Sequence, residues 1–312
     1  MQLKTIKKTI RTKMEDWLLS ISDESLRKQV QESLIVSGGA IANMLLKEDV
    51  NDYDVYISDP DVLIALCEYY CNPLDIPVLD GRLAETYLEE YIQQKYGKQV
   101  QDEFVQEDDS IEMVIYRTLK EDQVKLMLVE GGFEVDYGER SDINPETGDV
   151  QKYRPLFFSP NAISLSDDLQ IVCRFYGDPE QIHKNYDFVH ATNYFTFKDG
   201  VVVNTDALLS LMTRQLRYQG SRYPITSIIR TRKFLKRGFN ISAGEYLKMA
   251  YQVSCLDLTD PDVMEEQLIG VDIAYFQALI HILRGTDPSK WTNEHYLFAL
   301  IDKVFGESEV QS

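Results

Sequence analysis

The chain has 312 residues, 44% of them hydrophobic, and a formal net charge of −19 at pH 7. This length and composition are sufficient to bury one large core or two modest ones. The negative charge excludes a protein that coats nucleic acid through many Lys and Arg contacts to phosphates. The sequence contains no apolar run of the roughly 20 residues that span a bilayer and no secretory signal. We therefore expect a cytoplasmic protein without a membrane partner.

Cysteine and histidine usage argues against a disulfide framework and against zinc. The four cysteines are widely separated, apart from one pair in a predicted helix, and the four histidines have no zinc-binding spacing. The cysteines are Cys67, Cys71, Cys173 and Cys255. We expect reduced, mostly buried thiols.

The first elements form a short, distinctive unit. Helical periodicity over residues 5–32 is followed by a short buried strand, Ser33 to Ser37, which ends at Gly38 and Gly39. Residues 40–47 then favour a helix, and residues 53–57 favour a second strand because they are β-branched and aromatic around one aspartate. The pattern is strand, glycine turn, helix and acidic strand.

The remaining elements divide the chain into two predicted parts. Up to residue 204 we expect an α+β domain with a strand-rich insertion at about 98–160, and over 205–312 a helical domain. Helices are predicted at 60–72, 82–97, 178–185, 206–219, 224–237, 243–255, 272–284 and 293–305. Strands are predicted at 111–118, 123–129, 162–165, 169–175, 186–190 and 194–203, the last as a hairpin turned at Asp199-Gly200.

Two aspartates at the second strand have the spacing of a metal clamp. Side chains alternate along a strand, so Asp52 and Asp54 can share one face while Tyr53 and Val55 occupy the other. Two carboxylates on one face are hard ligands for divalent metal ions. Nucleotidyl transfer uses such ions to neutralise a triphosphate and to activate a hydroxyl.

The glycine pair complements these carboxylates. Without Cβ atoms, Gly38 and Gly39 let the backbone approach a phosphate, whose charge is favoured at a helix N-terminus. We expect these glycines, together with Ser37, to bind the phosphates of a nucleotide. Either motif alone is usually a turn or a solvated loop, and it is their order and spacing that indicates a site.

The segment IVSGGAIANMLLKEDVNDYDVYI resembles the signature of the DNA polymerase beta-like nucleotidyltransferase superfamily, most closely that of CCA-adding enzymes and bacterial poly(A) polymerases. The resemblance implies a nucleotidyltransferase-like mixed sheet followed by a helical domain. It also implies two Mg²⁺ ions at Asp52 and Asp54, with an NTP such as ATP as substrate. By position, Gly38 and Gly39 match the family's turn.

The sequence departs from the family directly after the glycines. CCA-adding enzymes usually have an Arg-Asp pair after the glycines, whereas Ala42 and Asn43 stand here, which argues against maturation of transfer RNA ends. The resemblance also implies a third catalytic and metal-binding carboxylate. We predict Asp187 for it; Asp136, with Glu112 behind it, is the alternative, and a structural role for all three remains open.

A basic segment interrupts the acidic chain. Residues 207–244 contain no acidic residue, and eight Arg and Lys side chains fall within them. Arg230 and Lys233 form part of a basic helical stripe, and Arg222 lies in a turn before it. We predict that these three residues contact a triphosphate or the phosphates of an RNA or tRNA acceptor. The alternative is a basic helix packed against its own acidic protein.

These features favour a magnesium-dependent nucleotidyltransferase that moves a nucleoside monophosphate from NTP to a hydroxyl and releases pyrophosphate. The acceptor stays open among an RNA end, a tRNA, a protein side chain and a small molecule. The alternative is a non-catalytic module that keeps the fold for binding or as a structural part of a larger assembly. A toxin-like or antibiotic-modifying transferase is a third possibility, against which the basic helix argues.

Overall fold

The computed structural model describes residues 2–82, 121, 123–126, 128, 132–135, 152–258, 263 and 267. The chain divides into two compact units, the first comprising Met1–Lys184 and His190–Met212 and the second Asn185–Val189 and Thr213–Ser312. Several predictions lie outside the described residues: Asp136, Glu112, most of the insertion, the strand at 111–118, the helix at 82–97 apart from its first residue, and the helices at 272–284 and 293–305. Within those residues, no helix has the length and apolar character needed to cross a membrane.

Four helices of the first unit precede or flank its first two strands. They are α1 (Leu3–Ser20), α2 (Glu24–Ser33), α3 (Gly39–Leu46) and α4 (Pro60–Cys71). Asp23 caps α2 by accepting hydrogen bonds from two backbone amides, and Asp59 caps α4 in the same way. Ile6, Ile10 and Trp17 of α1 are fully buried. Their spacing corresponds to whole helical turns, so the three side chains lie on the same face of the helix. This face packs into the core.

Eight of the described strands form one mixed sheet, in the order β10-β9-β1-β2-β8-β7-β6-β5. The pairing of β2 with β8 is parallel, and the other neighbours in the sheet are antiparallel. A mixed sheet covered by helices confirms the predicted α+β class. The strands are β1 (Leu34–Ser37), β2 (Tyr53–Ile57), β5 (Phe133–Glu134), β6 (Pro155–Ser159), β7 (Ala162–Leu165), β8 (Leu169–Val172), β9 (Tyr194–Thr196) and β10 (Gly200–Val202).

A separate two-stranded ladder joins β3 (Val78–Asp80) to β4 (Val124–Leu126) in antiparallel register. The second of these confirms the strand predicted at 123–129, though in a shorter form. Leu79 and Lys125 are partners in this ladder, and both side chains are buried.

The two faces of the main sheet differ because side chains alternate along each strand. Val36 of β1, Val55 of β2 and Ile171 of β8 belong to the hydrophobic core. The residues between them point to the opposite face, where Ser37 and Asp54 lie. One face therefore holds the core, and the other carries polar side chains at one end of its central strands.

The chain returns to the sheet through α5 (Pro179–His183) and the hairpin of β9 and β10. Asp178 caps α5 and Pro179 opens it, in agreement with the helix predicted at 178–185. The hairpin at 194–203 is confirmed as well, and Gly200, at a positive φ of 73°, begins β10 directly after the turn.

Near the division between the units, one predicted element is shorter than expected and another is wrong. The helix predicted at 206–219 is α6 (Thr205–Thr213), which ends because Arg214 adopts a left-handed φ of 52°. The strand predicted at 186–190 forms only an isolated bridge between Phe188 and Tyr218, followed by a 3-10 turn.

The described part of the second unit is mainly helical, as predicted. Helix α7 (Pro224–Lys236) packs against α8 (Ala243–Ser254), and Ser242 caps α8. Two short parallel strands, β11 (Gln215–Leu216) and β12 (Asn240–Ile241), are an addition that the sequence did not predict.

Candidate active site

The candidate site lies where β1 ends beside the start of β2. Ser37 and Asp54 are direct partners in the antiparallel register of these strands. Partners in a sheet project their side chains to the same face. Asp54 is half-buried, whereas Asp52 is exposed and lies just before β2, which begins at Tyr53. The structure thus brings together the first part of the predicted site.

The glycine turn follows directly from Ser37. Gly38 has φ 88° and ψ −144°, a conformation that only glycine adopts at low cost. Gly39 then begins α3, and no side chain at Gly38 caps the first amides of the helix. Uncapped amides and the helix dipole form an anion site, so this end of α3 suits a phosphate beside Asp54.

A row of polar side chains crosses the face of the sheet opposite the core and includes Asp54. Asp54 is flanked by Ser37 on β1 and by Gln170 on the parallel strand β8, and Gln170 faces Ser164 on β7. Gln170 Nε2 lies 3.5 Å from Ser164 Oγ. Sequence reasoning predicted the strand but missed Gln170, whose signal is a lone polar residue in the apolar run LQIV.

His183 is the second residue that sequence reasoning missed. Its Nε2 lies 2.8 Å from Ser37 Oγ, and the same hydroxyl donates a hydrogen bond to the Asn193 carbonyl at 2.9 Å. Burial lowers the pKa of His183 to about 4, so the ring is neutral near pH 7. The contact joins residues 146 positions apart, a distance that local sequence patterns do not encode.

A cleft of about 260 Å³ borders Asp52. Asp167 and Asp168 line it from the turn between β7 and β8, where both have left-handed φ values, 60° and 56°. Gln170 and Ser164 also line it, so the polar row leads into this cleft.

The donors at the site are suited to Mg²⁺. Asp52 and Asp54 supply carboxylate oxygens, and Mg²⁺ is commonly held by one or two carboxylates together with substrate phosphates and water. In the part of the chain that the structure describes, no three His, Cys, Asp or Glu side chains group as a metal site. The phosphate oxygens of a bound nucleotide are further ligands of the kind that Mg²⁺ takes.

The other predicted site residues lie in the second unit. Asp187 accepts a hydrogen bond from Arg230 Nη1 at 3.2 Å, and its side chain is 14% exposed. Arg222 and Lys233 are exposed. The role of Asp187 as a third carboxylate stays a prediction.

The mixed sheet, its covering helices and the glycine turn beside Asp54 define an α+β protein. The chain belongs to the Gabija anti-defense 2 (Gad2) family, whose model, described as "Gabija anti-defense 2 family protein", matches residues 8–214. It is similar to Gabija anti-defense 2 of Bacillus phage SPbetaL7, with 28% identity over 88 residues. That match covers 28% of this chain and 22% of the relative.

The solved structures to which the chain has a distant similarity include two CCA-adding enzymes. The Thermotoga maritima enzyme complexed with tRNA_CCA has 13% identity and a TM-score of 0.38, covering 93% of this chain and 54% of that one. The Bacillus stearothermophilus enzyme in complex with CTP has 12% identity and a TM-score of 0.35, covering 85% of this chain and 51% of that one. The chain thus corresponds to about half the length of these structures.

Proposed function

We propose that this protein is a magnesium-dependent nucleotidyltransferase, which moves a nucleoside monophosphate from an NTP to a hydroxyl acceptor and releases pyrophosphate. The observation that carries the proposal is the register of Ser37 opposite Asp54. Because of this register, a carboxylate suited to Mg²⁺ lies beside a turn suited to phosphate. We further propose that the reaction serves the anti-defence role that the family name describes.

The glycine turn binds the triphosphate in this proposal. Gly38 and Gly39 present backbone rather than side chains, and the first amides of α3 would donate to the phosphates. The hydroxyl of Ser37 is engaged by His183 and Asn193, so Ser37 contributes through its position rather than as a phosphate donor.

The carboxylates bind and orient the reacting groups. Asp52 and Asp54 would hold two Mg²⁺ ions, which neutralise the triphosphate and lower the pKa of the attacking hydroxyl when bound. Asp187 would complete this set. Its present partner, Arg230, would be shared between Asp187 and a phosphate.

The basic part of the second unit binds the polyanion in this proposal. Arg222, Arg230 and Lys233 are exposed and lie in or just before α7. They would contact the triphosphate or the phosphates of an RNA or tRNA acceptor. Their charge contrasts with the net charge of −19 of the whole chain.

Incubation with each labelled NTP, Mg²⁺ and either total cellular RNA or total cellular protein tests the proposal. We expect label in one acceptor pool, together with released pyrophosphate, and no label when Mg²⁺ is chelated. Failure to label any pool or release pyrophosphate would contradict nucleotidyl transfer. Labelling of protein with RNA unlabelled would identify the acceptor and remove the role proposed for RNA.

A non-catalytic nucleotide-binding or structural module is the second candidate. It is favoured by Gln170, since the neighbour of Asp54 on β8 is a neutral amide rather than a carboxylate. Calorimetry with Mg²⁺ and each NTP separates the two candidates. Tight binding without pyrophosphate release from any acceptor pool would favour the module.

A further inference from the structure

The hydrogen bonds around Ser37 determine which atom donates. Its hydroxyl lies 2.8 Å from His183 Nε2 and 2.9 Å from the carbonyl oxygen of Asn193. A carbonyl oxygen can only accept, so the single hydroxyl proton is directed to Asn193. Ser37 Oγ is then left as the acceptor for His183, and Nε2 must carry a proton. The neutral ring of His183 is therefore the Nε2–H tautomer.

Asn193 is a fixed anchor for this chain of hydrogen bonds. It is fully buried, and its Oδ1 accepts from the backbone amide of Asn204 at 3.1 Å. Its Nδ2 donates to the carbonyl of His190 at 3.4 Å. The hydrogen bonds from His183 to Ser37 and from Ser37 to Asn193 thus connect α5, the end of β1 and the segment that enters β9.

Gly38, the residue after Ser37, depends on its neighbours for a fixed conformation. Gly38 has wide backbone freedom, and a turn built from two glycines is not held by side chains of its own. Ser37 is buried and hydrogen-bonded on both sides, so it fixes the point at which this turn begins.

We propose, on the basis of the proposed function, that His183 is a positioning residue, which holds Ser37 and thereby orients the Gly38 turn to receive the triphosphate beside Asp54. It touches neither the nucleotide nor the reacting atoms. It acts through the hydroxyl of Ser37, so a side chain that donates from the same place should replace it.

The positioning can be measured without any nucleotide. Histidine ¹⁵N–¹H spectra of the whole chain are expected to give the Nε2–H tautomer for His183. The amide resonances of Gly38 and Gly39 should shift in His183→Leu and in Ser37→Ala. They should stay in place in Tyr70→Phe, which removes a buried hydrogen bond from Trp17 Nε1 at 3.1 Å elsewhere in the core.

Nucleotide binding gives a second readout. Calorimetry with the magnesium complex of each of the four NTPs identifies the one that the wild type binds most tightly. Its affinity should fall about tenfold in His183→Leu and Ser37→Ala, the effect of one lost hydrogen bond to a buried group. The double variant should lose no more than either single variant, because both remove the same interaction. His183→Gln keeps a donor and should restore most of the affinity, whereas Tyr70→Phe should bind as the wild type does.

The two sets of results separate the positioning role from the proposed function. If the wild type binds none of the four NTPs, the proposed function fails, and the glycine resonances still decide whether His183 positions the turn. An Nδ1–H tautomer, unmoved glycine amides or an equal effect of Tyr70→Phe would overturn the positioning role. If His183→Leu does not fold, Ser37→Ala and His183→Gln carry the same comparison.

Discussion

Ser37 and Asp54 face each other across the antiparallel pair of β1 and β2, on the side of the sheet away from the core. This pairing places the start of the glycine turn next to the half-buried carboxylate of Asp54. Both strands are short and buried between helices and sheet neighbours, so the register is fixed by their hydrophobic residues, Val36 and Val55 among them. The site is therefore a product of strand register.

The two glycines of the turn should respond differently to alanine. Gly38 has φ 88° and ψ −144°, so Gly38→Ala should destabilise the fold by about 1–3 kcal/mol and weaken NTP binding. A Cβ at Gly39 meets no heavy atom within 4 Å, so Gly39→Ala is the matched control and should fold with near wild-type stability. Urea denaturation of both variants measures the difference. Equal stability of the two variants would contradict the turn geometry.

Acid should destabilise the protein partly through His183. Burial lowers its pKa from 6.5 to about 4, so the unfolded chain binds this proton more readily than the folded chain between these values. The contribution of His183 to stability is complete above pH 6.5 and is lost as the pH falls toward 4. In His183→Gln the free energy of unfolding should therefore depend less steeply on pH over that interval. Parallel curves for variant and wild type would contradict the assignment.

The sequence predicted the local part of the site and missed its neighbours. Gly38, Gly39, Asp52 and Asp54 lie within one strand-turn-helix-strand unit, whose periodicity and turn residues are local signals. Gln170 reaches Asp54 only through the parallel pairing of β2 with β8, which no local pattern specifies.

The same limit explains the errors near the division of the two units. Phe188 lies in a partly aromatic run that resembles a strand, yet within the described residues it forms an isolated bridge with Tyr218 instead of a strand. Arg214 ends α6 through a left-handed conformation that its residue type does not signal. At both positions the backbone conformation depends on tertiary pairing rather than on local propensity.

Asp187→Asn tests the third carboxylate. If Asp187 completes the site, kcat should fall by about two orders of magnitude or more with the fold intact. Arg230→Gln breaks the same ion pair, whose atoms are 3.2 Å apart, but leaves the carboxylate, so it should act mainly on KM. Steady-state pyrophosphate release measures both. A near-normal rate in Asp187→Asn would transfer the role to Asp136.

Neutralising α7 tests the polyanion surface. With Arg230, Lys233 and Lys236 changed together to Gln, RNA binding should weaken, and its dependence on log salt should flatten by about two units. The control changes Lys4, Lys7 and Lys8, three exposed lysines of α1, and removes the same charge elsewhere. Titrations at several salt concentrations measure the slopes. Equal flattening in the control would show a general charge effect instead of a binding surface.

Magnesium-dependent pyrophosphate release by Asp52→Ala and Asp54→Ala tests the central claim most directly. Both variants should fold as the wild type does and release no pyrophosphate above background, because each removes a ligand for the metal ions. Asp61→Ala is the control, since it removes a carboxylate that is 80% exposed and pairs with Arg82 at 2.7 Å, away from the glycine turn. It should keep the wild-type rate. Undiminished pyrophosphate release by folded Asp52→Ala and Asp54→Ala would contradict the account.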